Sequence, residues 1–307
     1  MSGPVLCVEV ETPGMGSAEL LQFIVAGLKN GSIYALVALG FTIVFASTGV
    51  INFAQGEFFM LGGMLSVLAL QSLGFPLPAA ILFGVLATTA VGVVFELLAI
   101  RPKKNGDPLS LIIITVGGSI LIQSLTRHGM GPDELPVPAF TEGKSIIIAG
   151  AAIERQTLWI WGITFAAVLA LTILYRKTAF GRGMRACAID RDGARLVGVD
   201  ARMMVTASFG LAAMLGALAG AATAPLTQTV FNGGASIGVK GFAAAILGGL
   251  GNPIAAVMGG LLLGLIESLS VAFLSSTYKD AIALVILLLV LFLRPQGLFG
   301  RKTKEKV

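Results

Sequence analysis

The chain has 307 residues, of which 56% are hydrophobic and only 12% charged, about half the charge usual in a soluble domain. Such a sequence, with a mean hydropathy of +0.91, cannot cover a water-exposed surface, and a soluble globule is excluded. Two cysteines, Cys7 and Cys187, and one histidine, His128, exclude a disulfide framework, a four-cysteine metal centre and any paired-histidine motif. The net charge of +5 comes from basic residues set between apolar runs, a pattern of loop topology and not of nucleic-acid binding.

A bilayer core of about 30 Å takes roughly 20 apolar residues as a helix. In chain order the apolar runs are 20–46, 57–73, 76–100, 109–127, 157–175, 203–226, 238–250, 253–275 and 279–293. Residues 1–19 precede them as a short external tail that lacks the basic segment of a signal peptide. The first run holds Gly27, Lys29, Asn30 and Gly31 at its middle, which fits either one tilted helix or two half-helices meeting at a break. The seventh is short and rich in glycine before Pro253, as expected of a short or re-entrant helix shielded by protein. The fold expected is all-α, a polytopic transmembrane bundle of about 8–9 spans. The transmembrane domain occupies 20–293, and a basic tail follows at 294–307.

Fifteen of the 21 Lys and Arg residues fall in three segments, 101–104, 176–202 and 294–306. Short cytoplasmic loops retain such residues, so all three are expected inside and the N-terminus outside, which requires nine crossings. The longest of these loops, 176–202, mixes Ile189, Leu196, Val197 and Val199 with its basic residues and reads as a short amphipathic helix. Asp190 or Asp192 is placed to cap its start and Gly198 to end it.

Within the apolar runs, charge is expensive unless paired or facing water. Glu57, close to Asn52 and Gln55, and Glu267 are candidates for substrate contact or for interhelix hydrogen bonding. Glu96, near Arg101, reads as an interfacial residue. Thr115 and Gly117 are further candidates in the fourth run. The run LGGLGNP, with Gly248, Gly249, Gly251 and Asn252, marks a helix break whose freed backbone groups could line a route. Gly216-x-x-x-Gly220 and Gly260-x-x-x-Gly264 each place small residues on one helix face, a packing signal first. The nearest approach to a phosphate loop, Gly143-Lys144-Ser145, has Pro138 where that motif needs glycine.

Four segments carry a resemblance. GLKNGSIYALVALGFTIVFASTGVINFAQGEFFMLGG at 27–63, TAFGRGMRACAIDRDGARLVGVD at 178–200, AAAILGGLGNPIAAVMGGLLLGLIE at 243–267 and RPQGLFG at 294–300 resemble permeases of the branched-chain amino acid ABC importer family, in particular LivH-type subunits. Asp192-Gly193-Ala194-x-x-x-Gly198 looks like a conservative variant of the EAA-x-x-x-G loop of ABC importers. The resemblance implies a non-catalytic membrane subunit of an ATP-driven importer for branched-chain or other hydrophobic amino acids. It would sit in a prokaryotic plasma (inner) membrane and carry no cofactor of its own. Implied partners are a homologous second permease, two cytoplasmic ATPases that bind the ATP and dock on 176–202, and an external substrate-binding protein. Asp190, Asp192, Gly193, Ala194 and Gly198 would then couple to the ATPases. Relatives for urea, short amides or other amino acids share much of this signature, and a gradient-driven carrier would show similar spans.

Overall fold

A computed structural model describes residues 16–103, 107–273, 279–294 and 296–300; the side chains at 191, 192, 279, 280 and 283 are outside that description. Most of the expected external tail and residues 301–307 of the basic tail therefore lie outside the described residues. Each of the nine apolar runs is helical: α1 Ser17–Thr48, α2 Gln55–Gln71, α3 Leu77–Phe95, α4 Pro108–Met130, α5 Arg155–Lys177, α8 Ala201–Thr227, α9 Gly233–Gly248, α10 Pro253–Phe273 and α11 Lys279–Leu293. Two helices in the basic loop, α6 Ala179–Ile189 and α7 Arg191–Leu196, complete the set. Counting the turns that extend α3, six of these are long and apolar enough to cross a membrane, and α9 is among the shorter apolar ones.

The first run is one continuous helix, so the alternative of two half-helices is corrected. Gly27 and Gly31 do not break α1; they admit α10. A Cβ at Gly27 would lie 2.9 Å from the Leu265 Cα, and one at Gly31 would lie 2.8 Å from the Leu261 Cα. The facing helix answers with Gly260 against Ala35 and Gly264 against Gly31, two small-residue stripes that let the backbones meet. Every residue from Gly31 to Val44 is buried, which makes α1 the central helix of the bundle. The other glycine pair, Gly216 and Gly220 of α8, seats α2 at Phe58 and Phe59. Apolar side chains on α3, α4, α5 and α11, among them Leu86, Ile113, Phe165 and Leu288, face outward as a lipid-exposed rim requires.

The second helix starts inside the protein. Glu57 in its first turn accepts from Ser119 Oγ at 2.9 Å, and Ser119 is the midpoint of α4. The preceding irregular stretch buries Val50, Asn52 and Ala54, and such backbone is tolerated at membrane depth only where protein covers it. Glu96 is also buried, opening a π-helical turn (Glu96–Ile100) at the end of α3 and accepting from Thr206 Oγ1 of α8 at 2.6 Å. It serves as an interhelix hydrogen-bond partner.

Two ends can be told apart. At one, the β1 (Ile146–Ile148) and β2 (Ala151–Ile153) hairpin holds Gln22 near the start of α1 through Ala152, and Leu135 pairs with Thr229 after α8. At the other, Arg101, Arg195 and Arg202 of two basic segments line one cleft of about 670 Å³. With positive charge kept inside, a membrane-impermeant thiol reagent added to intact cells should modify Ser17→Cys and spare Val197→Cys, in a background lacking Cys7. Labelling of Val197→Cys from outside would invert the topology.

Candidate functional site

The basic loop is built as a hinged pair of helices, one more than its sequence pattern suggests. Thr178 caps α6 by accepting from the Gly181 N–H at 2.9 Å, and Asp190 ends it. The same Asp190 accepts from the Gly193 N–H at 3.1 Å and so opens α7. Gly198, at φ +84°, closes α7 in a Schellman arrangement: its N–H bonds the Arg195 carbonyl and the Val199 N–H bonds the Ala194 carbonyl, both at 3.0 Å. Asp200 then caps α8 through the N–H groups of Arg202 and Met203. Those hydrogen bonds, helped by the Arg202 and Arg101 guanidiniums, hold its carboxyl below the usual range. Ala194 is buried against the bundle together with Met184 and Cys187 of α6. Outward stand Ile189, Leu196 and Val197, at 88%, 89% and 77% exposure, an apolar surface on the basic loop. Nothing lies within 4 Å of the Cβ position at Gly198. The Asp192 side chain lies outside the described residues.

The polar candidates gather in three places. Asn52, Gln55, Glu57 and Thr115 come together where α2 begins. Asn52 Oδ1 accepts from the Ala54 N–H at 3.1 Å, Gln55 Nε2 donates to the Ala212 carbonyl at 2.9 Å, and the Phe53 N–H donates to Thr115 Oγ1 at 3.2 Å. All four residues are buried, and among the described residues Asn52 Nδ2, Gln55 Oε1 and Glu57 Oε2 have no hydrogen-bond partner. Gly117 does not join them: two residues on from Thr115 it is about 200° around the helix, exposed and against open space.

Glu267 belongs to a second group. Its carboxylate takes Lys240 Nζ of α9 at 2.7 Å and the Tyr34 hydroxyl of α1 at 2.7 Å, and Lys240 Nζ lies 5.6 Å from the centroid of the Tyr34 ring. Lys240 is a lone cation in the 16-residue helix α9, but its partner is 27 residues away and is fixed by the antiparallel α9–α10 packing.

The Gly-rich turn is the third place, and two of the carbonyls freed at its break are taken up within the chain. The carbonyls of Leu247 and Gly248 accept from the N–H groups of Leu298 and Phe299 at 2.8 and 3.0 Å. Gly249, at φ +126°, lies against Gly300 and Gln296, while Gly251, at φ +89°, completes the turn. Asn52's counterpart here, Asn252, spends its Oδ1 capping α10 at Ile254 and Ala255. The RPQGLFG segment thus satisfies the break from within the chain.

A buried polar break between helices and a bundle of apolar spans define a multi-pass membrane protein. The family described as "Branched-chain amino acid transport system / permease component" matches residues 23–291, and the chain belongs to that family. It is 36% identical over 301 residues to the high-affinity branched-chain amino acid transport system permease protein LivH of Escherichia coli (strain K12), covering 94% of this chain and 97% of the relative. To the corresponding protein BraD of Pseudomonas aeruginosa it is 34% identical, covering 94% and 98%. Among solved structures, PsaBC from Streptococcus pneumoniae in complex with Fab aligns at a TM-score of 0.51 and 14% identity over 91% of this chain and 96% of that one, a likeness of fold.

Proposed function

We propose that this permease component is the membrane-spanning, non-catalytic subunit of an ATP-driven importer that moves branched-chain or other hydrophobic amino acids across a prokaryotic plasma (inner) membrane. The observation that carries the reading is the apolar patch of Ile189, Leu196 and Val197, presented on a rigidly capped pair of short helices at the basic end of the molecule. A gradient-driven carrier has no use for such a socket. Two cytoplasmic ATPases dock there and bind the ATP, a homologous permease completes the route, and an external binding protein delivers the amino acid. Coupling is mechanical: α6 continues from α5 across Thr178, and α7 leads through Val199 and the Asp200 cap into α8, so displacement of the pair levers both long helices between inward-open and outward-open arrangements. The route itself involves the cluster of Asn52, Gln55, Glu57 and Thr115.

Leu196→Asp tests the socket without touching the interior, because the side chain is almost fully exposed. Placing a charge in an apolar contact that must shed water is expected to strip the ATPases from the purified complex, while the variant still inserts and pairs with the second permease. If the ATPases stay bound and leucine uptake into proteoliposomes stays ATP-driven, the socket is elsewhere. If uptake instead follows an ion gradient, or only urea and short amides are carried, the corresponding alternative replaces this reading.

A further inference from the structure

One face of α4 carries a row of polar residues. Thr115, Ser119, Gln123 and Arg127 follow one another at four-residue spacing, and their burial falls toward the hairpin end: Thr115 is buried, Ser119 and Gln123 half-buried, Arg127 exposed. The lipid-facing side of the same helix shows Ile113, Ile120, Leu121 and Leu125. A polar row through the bilayer is expensive against lipid, so it must face protein or water. Two contacts say where it points. The Arg127 guanidinium lies 5.3 Å from the centroid of the Phe231 ring, two residues before α9. Ser119 holds Glu57 Oε1. The other oxygen, Oε2, lies 2.8 Å from the Cβ position of Gly234 in the first turn of α9. There α9 turns Asn232, Ala235 and Ser236 outward, a small and polar surface at the head of a short helix.

We propose that Ser119, Gln123 and Arg127 of α4, with Asn232 and Ser236 at the head of α9, form the wall of the substrate route in this subunit, and that Glu57 at its inner end takes the α-ammonium group of a zwitterionic amino acid. Glu57 is 2% exposed, and its Oε2 has no hydrogen-bond partner among the described residues. A buried carboxylate oxygen without a donor is costly, and an ammonium group supplies the missing hydrogen bond and the opposite charge. Gln55 Oε1 and Asn52 Nδ2, also without partners, offer a second acceptor for the ammonium and a donor for the neighbouring carboxylate. Arg127 is eight residues above Ser119, about 12 Å along the helix, too far for one amino acid to touch both ends at once. The order is therefore sequential: Arg127 meets the carboxylate at the mouth, and Glu57 receives the ammonium deeper in.

This inference rests on the importer reading, and the test separates the two. In the full reconstituted complex, freed of Cys7 and Cys187, single cysteines are placed at Ser119, Gln123 and Ser236 on the wall and at Leu121 and Leu125 on the lipid face. A charged, membrane-impermeant methanethiosulfonate should react with the wall thiols roughly ten-fold faster or more, since only a hydrated thiol ionises to the reactive thiolate. Saturating leucine with the binding protein should slow the reaction at Ser119→Cys, and adding Glu57→Gln should abolish that protection. Glu57→Gln alone should reduce leucine uptake roughly ten- to a hundred-fold, the loss of a charge-assisted hydrogen bond. Wall thiols no faster than lipid-face thiols, in a complex whose parent still imports leucine with ATP, would overturn the wall. Protection or uptake unchanged by Glu57→Gln would overturn the ammonium site. A parent complex that shows no ATP-driven uptake would instead count against the importer reading.

Discussion

Gly264→Leu is expected to leave no monodisperse permease after detergent extraction, judged by size-exclusion chromatography of the tagged chain. The reason is the crossing of α1 and α10. A Cβ at Gly264 would fall onto the backbone N and Cα of Gly31 and within 2.5 Å of the Gly27 carbonyl oxygen. These are main-chain atoms of the central helix, which cannot rotate aside as a side chain would. Forcing extra carbons into a packed interior costs typically about 1–3 kcal/mol where neighbours can adjust, and more where they cannot. Against a stability of about 5–15 kcal/mol for a whole domain, four added carbons at a backbone-to-backbone contact of the core are decisive. Gly264→Ala, with one carbon, should survive extraction with a lowered melting temperature. Gly117→Leu, against open space, should match the parent. A Gly264→Leu protein that elutes and melts like the parent would show that α1 and α10 do not approach this closely.

That pair of helices also shows what was legible in the sequence. The bilayer imposes a local rule, a run of about 20 apolar residues per helix, and local rules can be read without knowing the fold. All nine runs are helices for that reason. So are the ends of α7, because Asp190 and Gly198 act on backbone groups within a few residues. What escaped was non-local. Gly27 and Gly31 suggest a break when read alone, yet they serve close contact because Gly260 and Gly264 stand opposite. LGGLGNP suggests open backbone, yet Leu298 and Phe299, about 50 residues later, occupy its carbonyls. Glu57 was visible as an acid in an apolar setting, but Ser119, Gln123 and Arg127 gained meaning only once α4 was placed beside α2 and the head of α9.

Lys240→Met should destabilise the protein more than Glu267→Gln, and combining Lys240→Met with Glu267→Leu should recover much of the loss. The side chains of Lys240 and Glu267 are 18% and 5% exposed, and their 2.7 Å contact joins α9 to α10 while the Tyr34 hydroxyl ties the same carboxylate to α1. Removing one member of a buried pair strands the other charge, at a cost of about 3–5 kcal/mol. The two single variants differ because the survivors differ. A stranded Lys240 has a long stem and partial exposure, so its ammonium can reach toward water. A stranded Glu267 is short and enclosed, with only the Tyr34 hydroxyl left among the two partners described. The double variant removes both charges and their desolvation together, and apolar replacements of similar volume are often neutral or stabilising in such a setting. Melting temperatures of the parent, the two single variants and the double variant form a double-mutant cycle that isolates the pairing. A double variant that melts no higher than Lys240→Met alone would mean that the three helices are held here by packing, with the charges incidental to it.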